Sequence, residues 1–377
     1  MAILNVAFMF GGRSAEHDVS LRSFQAIYET LDRQRYNPLL VGVSRDGKWW
    51  LHEDTKSVLQ NLESSGAQIV FLPGGRGKAI VHGPGTGYTL CHVDVAFPML
   101  HGPFCEDGLL QGTLETAQVP FVGSPVLASA ICMDKDIFKR TLRDAGIPTP
   151  RHLALARGEE LAFHLAQRVL RSSSLFVKPA SLGSSIGVSK VTCDSEFRAA
   201  IDLAFTYDNK ILLEEYVQAR ELECAILQDP EVQTELLSSW PGEIIPANHH
   251  AFYTYQAKYI DQKGTIWKTN AEVAEAVADR VRALSCAAFR AIGCEAMARV
   301  DLFLRANGEI LINEVNTIPS FGPSNMFAKM VEASGITYRV LVQRLLEHAI
   351  KRSERGGSPI SARATLASAE PVRDDIR

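Results

Sequence analysis

Asp301, Glu314 and Asn316 are the residues of this chain whose types and spacing best suit a divalent ion. They belong to the stretch from Arg299 to Asn316, which reads Arg-Val-Asp-Leu-Phe-Leu-Arg-Ala-Asn-Gly-Glu-Ile-Leu-Ile-Asn-Glu-Val-Asn. Asn307-Gly308 is the dipeptide that most readily supplies the two positive φ angles of a tight hairpin turn. With those two as the loop, Ala306 faces Glu309, Asp301 lies opposite Glu314 and Arg299 lies opposite Asn316. Side chains alternate across a strand, so these last four residues share one face, while Val300, Leu302, Leu304, Leu311 and Val315 take the other. Two carboxylates opposed across a sheet repel unless something positive lies between them. An all-oxygen set of two carboxylates and an amide suits Mg²⁺, which usually shares its remaining positions with substrate phosphates. Arg299 beside them points to an anionic ligand. The alternative is a solvated outer face of an antiparallel ribbon.

Lys178 is the second chemical signal, because it sits inside an apolar strand and lysine is rarely buried unpaired. Around it the pattern is strand, glycine-serine loop, strand: Leu-Phe-Val-Lys-Pro-Ala, Ser-Leu-Gly-Ser-Ser, then Ile-Gly-Val-Ser-Lys-Val. A phosphate loop between two strands works through its backbone N–H groups, without a helix dipole.

The elements that must position these groups are legible from periodicity. Ile3 to Phe10 is an apolar strand ended by Gly11-Gly12, and Ser14 to Leu31 follows with helical spacing. Leu39 to Val43 and Val93 to Leu100 read as further buried strands, so the first third is a small α/β unit with a parallel sheet. The glycine clusters at 74–77 and 83–87 lack the spacing of nucleotide loops and are read as turns. Helices are expected over 134–145, 159–171, 196–205, 272–292, 325–333 and 338–352, and strands over 211–217 and 222–227. Gly242 to Lys268 is polar, aromatic and irregular, as expected of a functional loop. From Ser353 onward the composition predicts a disordered tail.

Composition excludes several classes. The chain has 377 residues, a net charge of -4 and a pI near 6.2, with no basic field for nucleic acid or anionic membrane. Seven cysteines are scattered, odd in number and free of CxxC spacing, which argues against a disulfide framework or a zinc site and fits a reducing compartment. No apolar run reaches the roughly 18 residues of a membrane span, and the first residues lack a basic leader, so a cytoplasmic protein is expected.

Taken together, the chain resembles the ATP-grasp ligases and, within them, the D-alanine–D-alanine ligases. Five blocks in order carry the likeness from Gly11 to Lys351: Gly-Gly-Arg-Ser-Ala-Glu-His-Asp-Val-Ser (11–20), His101-Gly102 with Glu106-Asp107-Gly108, Val-Lys-Pro-Ala-Ser-Leu-Gly-Ser-Ser-Ile-Gly-Val-Ser (177–189), Phe-Tyr-Thr-Tyr-Gln-Ala-Lys-Tyr (252–259) and Asn-Glu-Val-Asn-Thr (313–317).

The resemblance implies an α/β, three-domain ATP-grasp fold: an N-terminal α/β domain over 1–133, a central domain over 134–217 and a C-terminal domain over 218–352, with the tail at 353–377. ATP would lie between the central and C-terminal domains. Lys135 and Lys178 would neutralise phosphates, with the backbone of Ser184 and Ser185 in the loop. Glu214 and Glu221 would contact adenine and ribose, the backbone of Glu215 and Val217 would read the adenine edge, and Phe252 would join the nucleotide site. Two Mg²⁺ ions, or Mn²⁺ in their place, would bridge the phosphates from Asp301, Glu314 and Asn316. One amino acid's carboxylate would attack the γ-phosphate, and a second amino acid's amine would attack the resulting acyl phosphate. Arg299 and the Ser320 N–H would stabilise the oxyanion. Glu16, with Ser184 and Tyr259, would hold the first ammonium, with His101 nearby. Lys258 would serve the γ-phosphate and the second carboxylate, and Asn325 and Met326 would hold that carboxylate. The default product is D-alanyl-D-alanine for peptidoglycan, and the family suggests a homodimer.

Departures from the family's pattern gather around the second substrate. Cys105 stands where glycine is common, Leu109 where a small hydroxyl residue is, Thr254 and Gln256 where acids are, and Pro319-Ser320-Phe321-Gly322 where Pro-Gly-Phe-Thr is usual. Asn325 replaces a serine. The alternative is therefore a relative that joins other amino acids. Tyr259 opposes the D-lactate-accepting relatives, which lack the Lys-Tyr pair. Retention of Lys178, Arg299, Asp301, Glu314 and Asn316 opposes a nucleotide-binding protein without ligase activity.

Overall fold

The computed structural model describes residues 3–56, 58, 62, 66–83, 85, 87–246 and 265–355. Among the described residues the strands form three sheets. The first contains β1 (Leu4–Gly11), β2 (Tyr36–Val43), β3 (Trp49–His52), β4 (Ala67–Phe71), β5 (Lys78–His82), β6 (Tyr88–His92) and β7 (Val95–Pro98), in the order β6-β5-β4-β3-β2-β1-β7. Only β2-β1-β7 run parallel. The four remaining strands extend that trio as an antiparallel wing, and the glycine cluster at 74–77 lies in the connection from β4 to β5. The wing escapes a periodicity reading because its strands are short and its outermost member is exposed at four of five positions. β1 is legible because from Val6 to Phe10 it is apolar and buried on both faces. One of its faces packs on the His17–Thr30 helix through Phe10 and Phe24, whose rings stack at 4.0 Å, and on the Tyr338–Glu354 helix.

The second sheet is antiparallel, with β8 (His152–Ala156), β9 (Leu175–Pro179), β10 (Ser189–Val191) and β11 (Lys210–Glu215) in the order β10-β9-β11-β8. The Phe163–Leu170 and Asp194–Tyr207 helices cover one face through Phe163 and Phe197. The third sheet holds β12 (Ala219–Gln228), β13 (Leu236–Ser238), β14 (Gly242–Pro246), β15 (Thr265–Lys268), β16 (Met297–Arg305) and β17 (Ile310–Asn316). The segment read as wholly irregular thus begins and ends as paired strands, Glu243 opposite Lys268, because its Ile244-Ile245 and Ile266-Trp267 ends are apolar. Residues 247–264 between them lie outside the described residues.

The Lys135–Asp144 helix connects the parts. Asp134 caps it by accepting from the Asp136 and Ile137 N–H groups, both at 3.1 Å. Phe138 and Leu142 join the core beneath the third sheet, with Leu302, Ile310, Ile312 and Val315. Lys135 and Lys139, four residues apart, fall on one face. Among the described residues no helix is long and apolar enough to cross a membrane.

The β16–β17 ribbon places Asp301 opposite Glu314 and Arg299 opposite Asn316, as the sequence reading expects, but by another route. Nearer the turn Leu302 pairs with Ile312, Phe303 with Leu311 and Leu304 with Ile310, one residue out of that register. The turn has three loop residues, Ala306 to Gly308. Arg305 closes it, its N–H donating to the Glu309 carbonyl and its own carbonyl accepting from the Gly308 N–H, each at 2.9 Å. Only Gly308 has a positive φ, +84°, so this is a type I turn with a glycine bulge rather than a two-residue turn. A second irregularity, at Asn313, restores the pairing before Glu314. Leu311 therefore leaves the face assigned to it, and Ile310 and Ile312 enter the core instead.

Candidate functional site: a cavity between two sheets

A cavity of about 380 Å³ opens between the second and third sheets. Lys178 on β9 faces Leu212 on β11, so Glu214, two residues on, shares its face. Lys178 Nζ donates to Glu214 Oε1 at 2.8 Å. Lys139 Nζ lies 2.8 Å from Glu214 Oε2. That second approach is angular, so the two atoms attract as charges without completing a directed hydrogen bond. Burial acts to raise the pKa of Glu214, but Lys139 and Lys178 outweigh it and pull the carboxyl down to about 2. Lys139 is absent from the sequence-predicted set. Its only signal was its position one turn after Lys135.

The loop after β9 forms the next part of the wall. Ser184 and Ser185 have φ of +54° and +57°, left-handed values that side chains seldom adopt. Successive N–H groups along such a stretch make an anion-binding concavity. Lys135 Nζ donates to the Leu182 carbonyl, and the Lys135 N–H donates to the Ala180 carbonyl at 2.9 Å, so the start of the helix anchors this loop. Lys135, Ser184 and Ser185 all line the cavity, as do Glu215, Val217 and Glu221. The Glu215 side chain is committed elsewhere. It accepts from the Arg151 N–H at 2.9 Å and from Arg305 Nη2 at 2.9 Å, tying β11 to β16.

The opposite wall is acidic. Asp301 and Glu314 line the cavity, together with Glu221, Glu223 and Glu243. Arg299 grips Asp301 through two hydrogen bonds of 2.7 Å, and Asn316 Nδ2 donates to Asp301 Oδ2 at 3.0 Å. Glu223, opposite Asp301 on β12, lies 3.1 Å from Arg299 Nε. Burial works against the Arg299 charge, but Asp301 and Glu223 outweigh it and raise its pKa. Glu223 is a further residue the sequence reading missed, although the period-two spacing from Glu221 puts both on one face. The donor chemistry here, the Asp301 and Glu314 carboxylates with the Asn316 amide, fits a hard divalent cation. Among the described residues no three His, Cys, Asp or Glu side chains converge on one point, so the amide oxygen and phosphate oxygens have to complete such a site.

Beyond the cavity, Glu16 is the N-cap residue of the His17–Thr30 helix, yet its side chain makes no capping hydrogen bond. An acid there is therefore not explained by helix capping. A Cβ on Gly102 would stand 4.0 Å from Glu16 Oε2, so the carboxylate lies beside the His101-Gly102 turn. His101 is buried, and its Nδ1–H donates to the Ile318 carbonyl at 3.1 Å. Burial, more than the opposing field of Glu16, lowers its pKa and keeps it neutral. Glu106 accepts from the Gly102 N–H at 2.6 Å, and burial, then Glu16, pushes it up to about 8. It belongs to a motif the sequence reading quoted, without being singled out as a site residue.

The 318–326 loop stands apart from the lining of the cavity. Tyr338 OH donates to the Phe321 carbonyl at 2.9 Å and fixes the loop. Asn325 precedes the Met326–Ala333 helix, and its Oδ1 accepts from the Gly322 N–H at 2.7 Å. Its Nδ2 donor is uncommitted among the described residues. Ser320 is half-buried and Met326 is buried. Phe252, Lys258 and Tyr259, and the divergent Thr254 and Gln256, lie outside the described residues.

An antiparallel sheet with a glycine-serine loop, facing a carboxylate-bearing sheet across a nucleotide-sized cavity, defines the class: an ATP-grasp ligase. Residues 5–124 match the family described as "D-ala D-ala ligase N-terminus", and residues 141–347 match "D-ala D-ala ligase C-terminus". The chain is 45% identical over 351 residues to the D-alanine–D-alanine ligase A of Mesorhizobium japonicum, covering 92% of this chain and 97% of that one. The solved D-alanine–D-alanine ligase of Coxiella burnetii superposes with a TM-score of 0.84 at 32% identity, covering 98% and 100% of the two chains. A Bacillus anthracis D-alanine–D-alanine ligase solved in complex with ATP gives 0.70 at 26% identity, over 94% and 100%. The chain belongs to the D-alanine–D-alanine ligase family.

Proposed function

We propose that this chain joins two molecules of D-alanine, with ATP converted to ADP and phosphate, and so supplies the dipeptide used in peptidoglycan. The observation that carries this reading is the two-walled cavity, cationic along Lys135 and Lys178 and acidic along Asp301 and Glu314. The proposed domains are 1–133, 134–217 and 218–352, with the nucleotide held between the second and third.

The loop N–H groups at Ser184 and Ser185, with Lys135 and Lys178, orient the phosphates, and Glu214, Glu215, Val217 and Glu221 hold the nucleoside. Asp301, Glu314 and Asn316 would hold divalent ions, which would neutralise phosphate charge. Glu16, beside His101, receives the ammonium of the first D-alanine, whose carboxylate takes the γ-phosphoryl group. Asn325, with the start of the Met326–Ala333 helix, orients the second carboxylate so that its amine reaches the acyl carbon. Arg299 and the Ser320 N–H balance the negative charge that develops there.

Phosphate release with D- and L-amino acids, singly and in pairs, tests the reading. D-alanine alone should support robust turnover with one phosphate per dipeptide. Turnover with L-pairs and none with D-alanine would refute it.

A further inference from the structure

Three charged groups are buried together at the cationic wall of the cavity, and their own sum is not zero. Lys139 is 0% exposed, Glu214 2% and Lys178 9%. Two ammonium groups share one carboxylate, Lys178 on Oε1 and Lys139 on Oε2, each at 2.8 Å. Among the described residues neither lysine makes an ion pair with another carboxylate, so the three groups by themselves carry one positive charge, and Glu314 is the next carboxylate whose field reaches Lys139. Buried charge without a counter-ion is costly, and a packing role at position 139 would be met better by an apolar side chain. Lys178 borders the cavity, whereas Lys139 does not. Whatever Lys139 contributes to a ligand, it contributes through its neighbours.

We propose that Lys139 is a positioning residue for phosphate recognition: by neutralising Glu214 from behind, it leaves the charge of Lys178 available to the nucleotide's phosphates. The inference rests on the assignment of this cavity to ATP. Without Lys139, Lys178 and Glu214 form a neutral pair and Lys135 alone keeps this wall cationic. With it, the Lys178–Glu214–Lys139 set adds a second positive charge beside that of Lys135 for an anionic ligand to meet. The groups facing Lys139 are Glu214 from β11, Lys178 from β9, Glu314 from β17 and, more distantly, His152 from β8. Burial, ahead of the attraction of Glu214 and the repulsion of Lys178, brings Lys139 down to about 8. Its proton, and with it the extra charge, is present below that pH and lost above it.

The test compares a nucleotide with its base and sugar alone. In Lys139→Met the remaining Lys178–Glu214 pair is neutral, so no uncompensated charge is buried and the fold is expected to hold. Dissociation constants for ADP and adenosine are measured with the full-length enzyme at pH 7. ADP should weaken about tenfold or more, the scale of one unit charge a few ångströms away in a partly screened site, while adenosine changes less than twofold. The KM for ATP should rise more than kcat falls. In the wild type, ADP affinity should decline as pH passes about 8, a step Lys139→Met lacks. Removing both charges in Lys139→Met/Glu214→Gln leaves Lys178 uncompensated and should return the ADP-to-adenosine affinity ratio toward wild type. Equal weakening of ADP and adenosine in Lys139→Met would overturn the proposal and leave Lys139 a purely structural group. A wild-type enzyme that binds neither ligand would instead overturn the cavity assignment, and this inference with it.

Discussion

Gly322 and Asn325 depart from the family's pattern together, and the geometry makes them a single change. A Cβ on Gly322 would stand 2.5 Å from Asn325 Oδ1, far inside contact distance. That oxygen is held in place by its 2.7 Å hydrogen bond from the Gly322 N–H. Gly322 does not adopt a positive φ, so its backbone accepts a side chain and only the space is missing. Gly322→Thr, the residue common in the family, therefore drives the Asn325 side chain off its hydrogen bond. Losing that bond costs about 0.5–1.5 kcal/mol, and an off-rotamer side chain roughly as much again. The sum of about 1–3 kcal/mol corresponds to roughly a five- to a hundredfold loss in kcat/KM for the second D-alanine. Asn325→Ser removes the obstructing oxygen, so the Gly322→Thr/Asn325→Ser double variant should recover most of that loss. The assay is phosphate release at saturating ATP with D-alanine varied, run as a double-mutant cycle. A Gly322→Thr enzyme within twofold of wild type, or a double variant no better than the single, would refute the reasoning.

Glu314→Gln keeps the size of the side chain but removes a charge from the proposed ion site. Turnover with Mg²⁺ should fall by more than about a hundredfold while the thermal unfolding midpoint stays put, and an active variant would make the ion assignment wrong. Gly308→Ala places a Cβ on a backbone at φ +84°, and urea unfolding should report a loss of about 1–2 kcal/mol with activity at 25 °C little changed.

Much of the site was legible because its residues break local rules. A lysine in an apolar strand and two acids across a hairpin have few bland explanations, and Lys178, Asp301 and Glu314 do line one cavity. Lys139 and Glu223 were invisible for the opposite reason. A lysine on an amphipathic helix and a glutamate in a strand look ordinary until burial is known, and burial depends on which elements pack together. The same limit applies to the first sheet, whose parallel trio is written in continuous apolar runs while its wing is not. The hairpin is the most instructive case. Twelve residues separate Asp301 from Glu314. A two-residue turn with straight strands and a three-residue turn with one kink consume the same number. Ile310, Leu311 and Ile312 are all apolar, so composition does not say which of them face inward.

That equivalence gives the ribbon a tolerance of its own. The kink at Asn313 works like a vernier: a slip of one position between the turn and Ile312 is taken up there, and the end carrying Arg299, Asp301, Glu314 and Asn316 keeps its alignment. Wear at the tip, whether from a substitution or from thermal fraying, is thereby insulated from the end of the strand pair proposed to hold the ions.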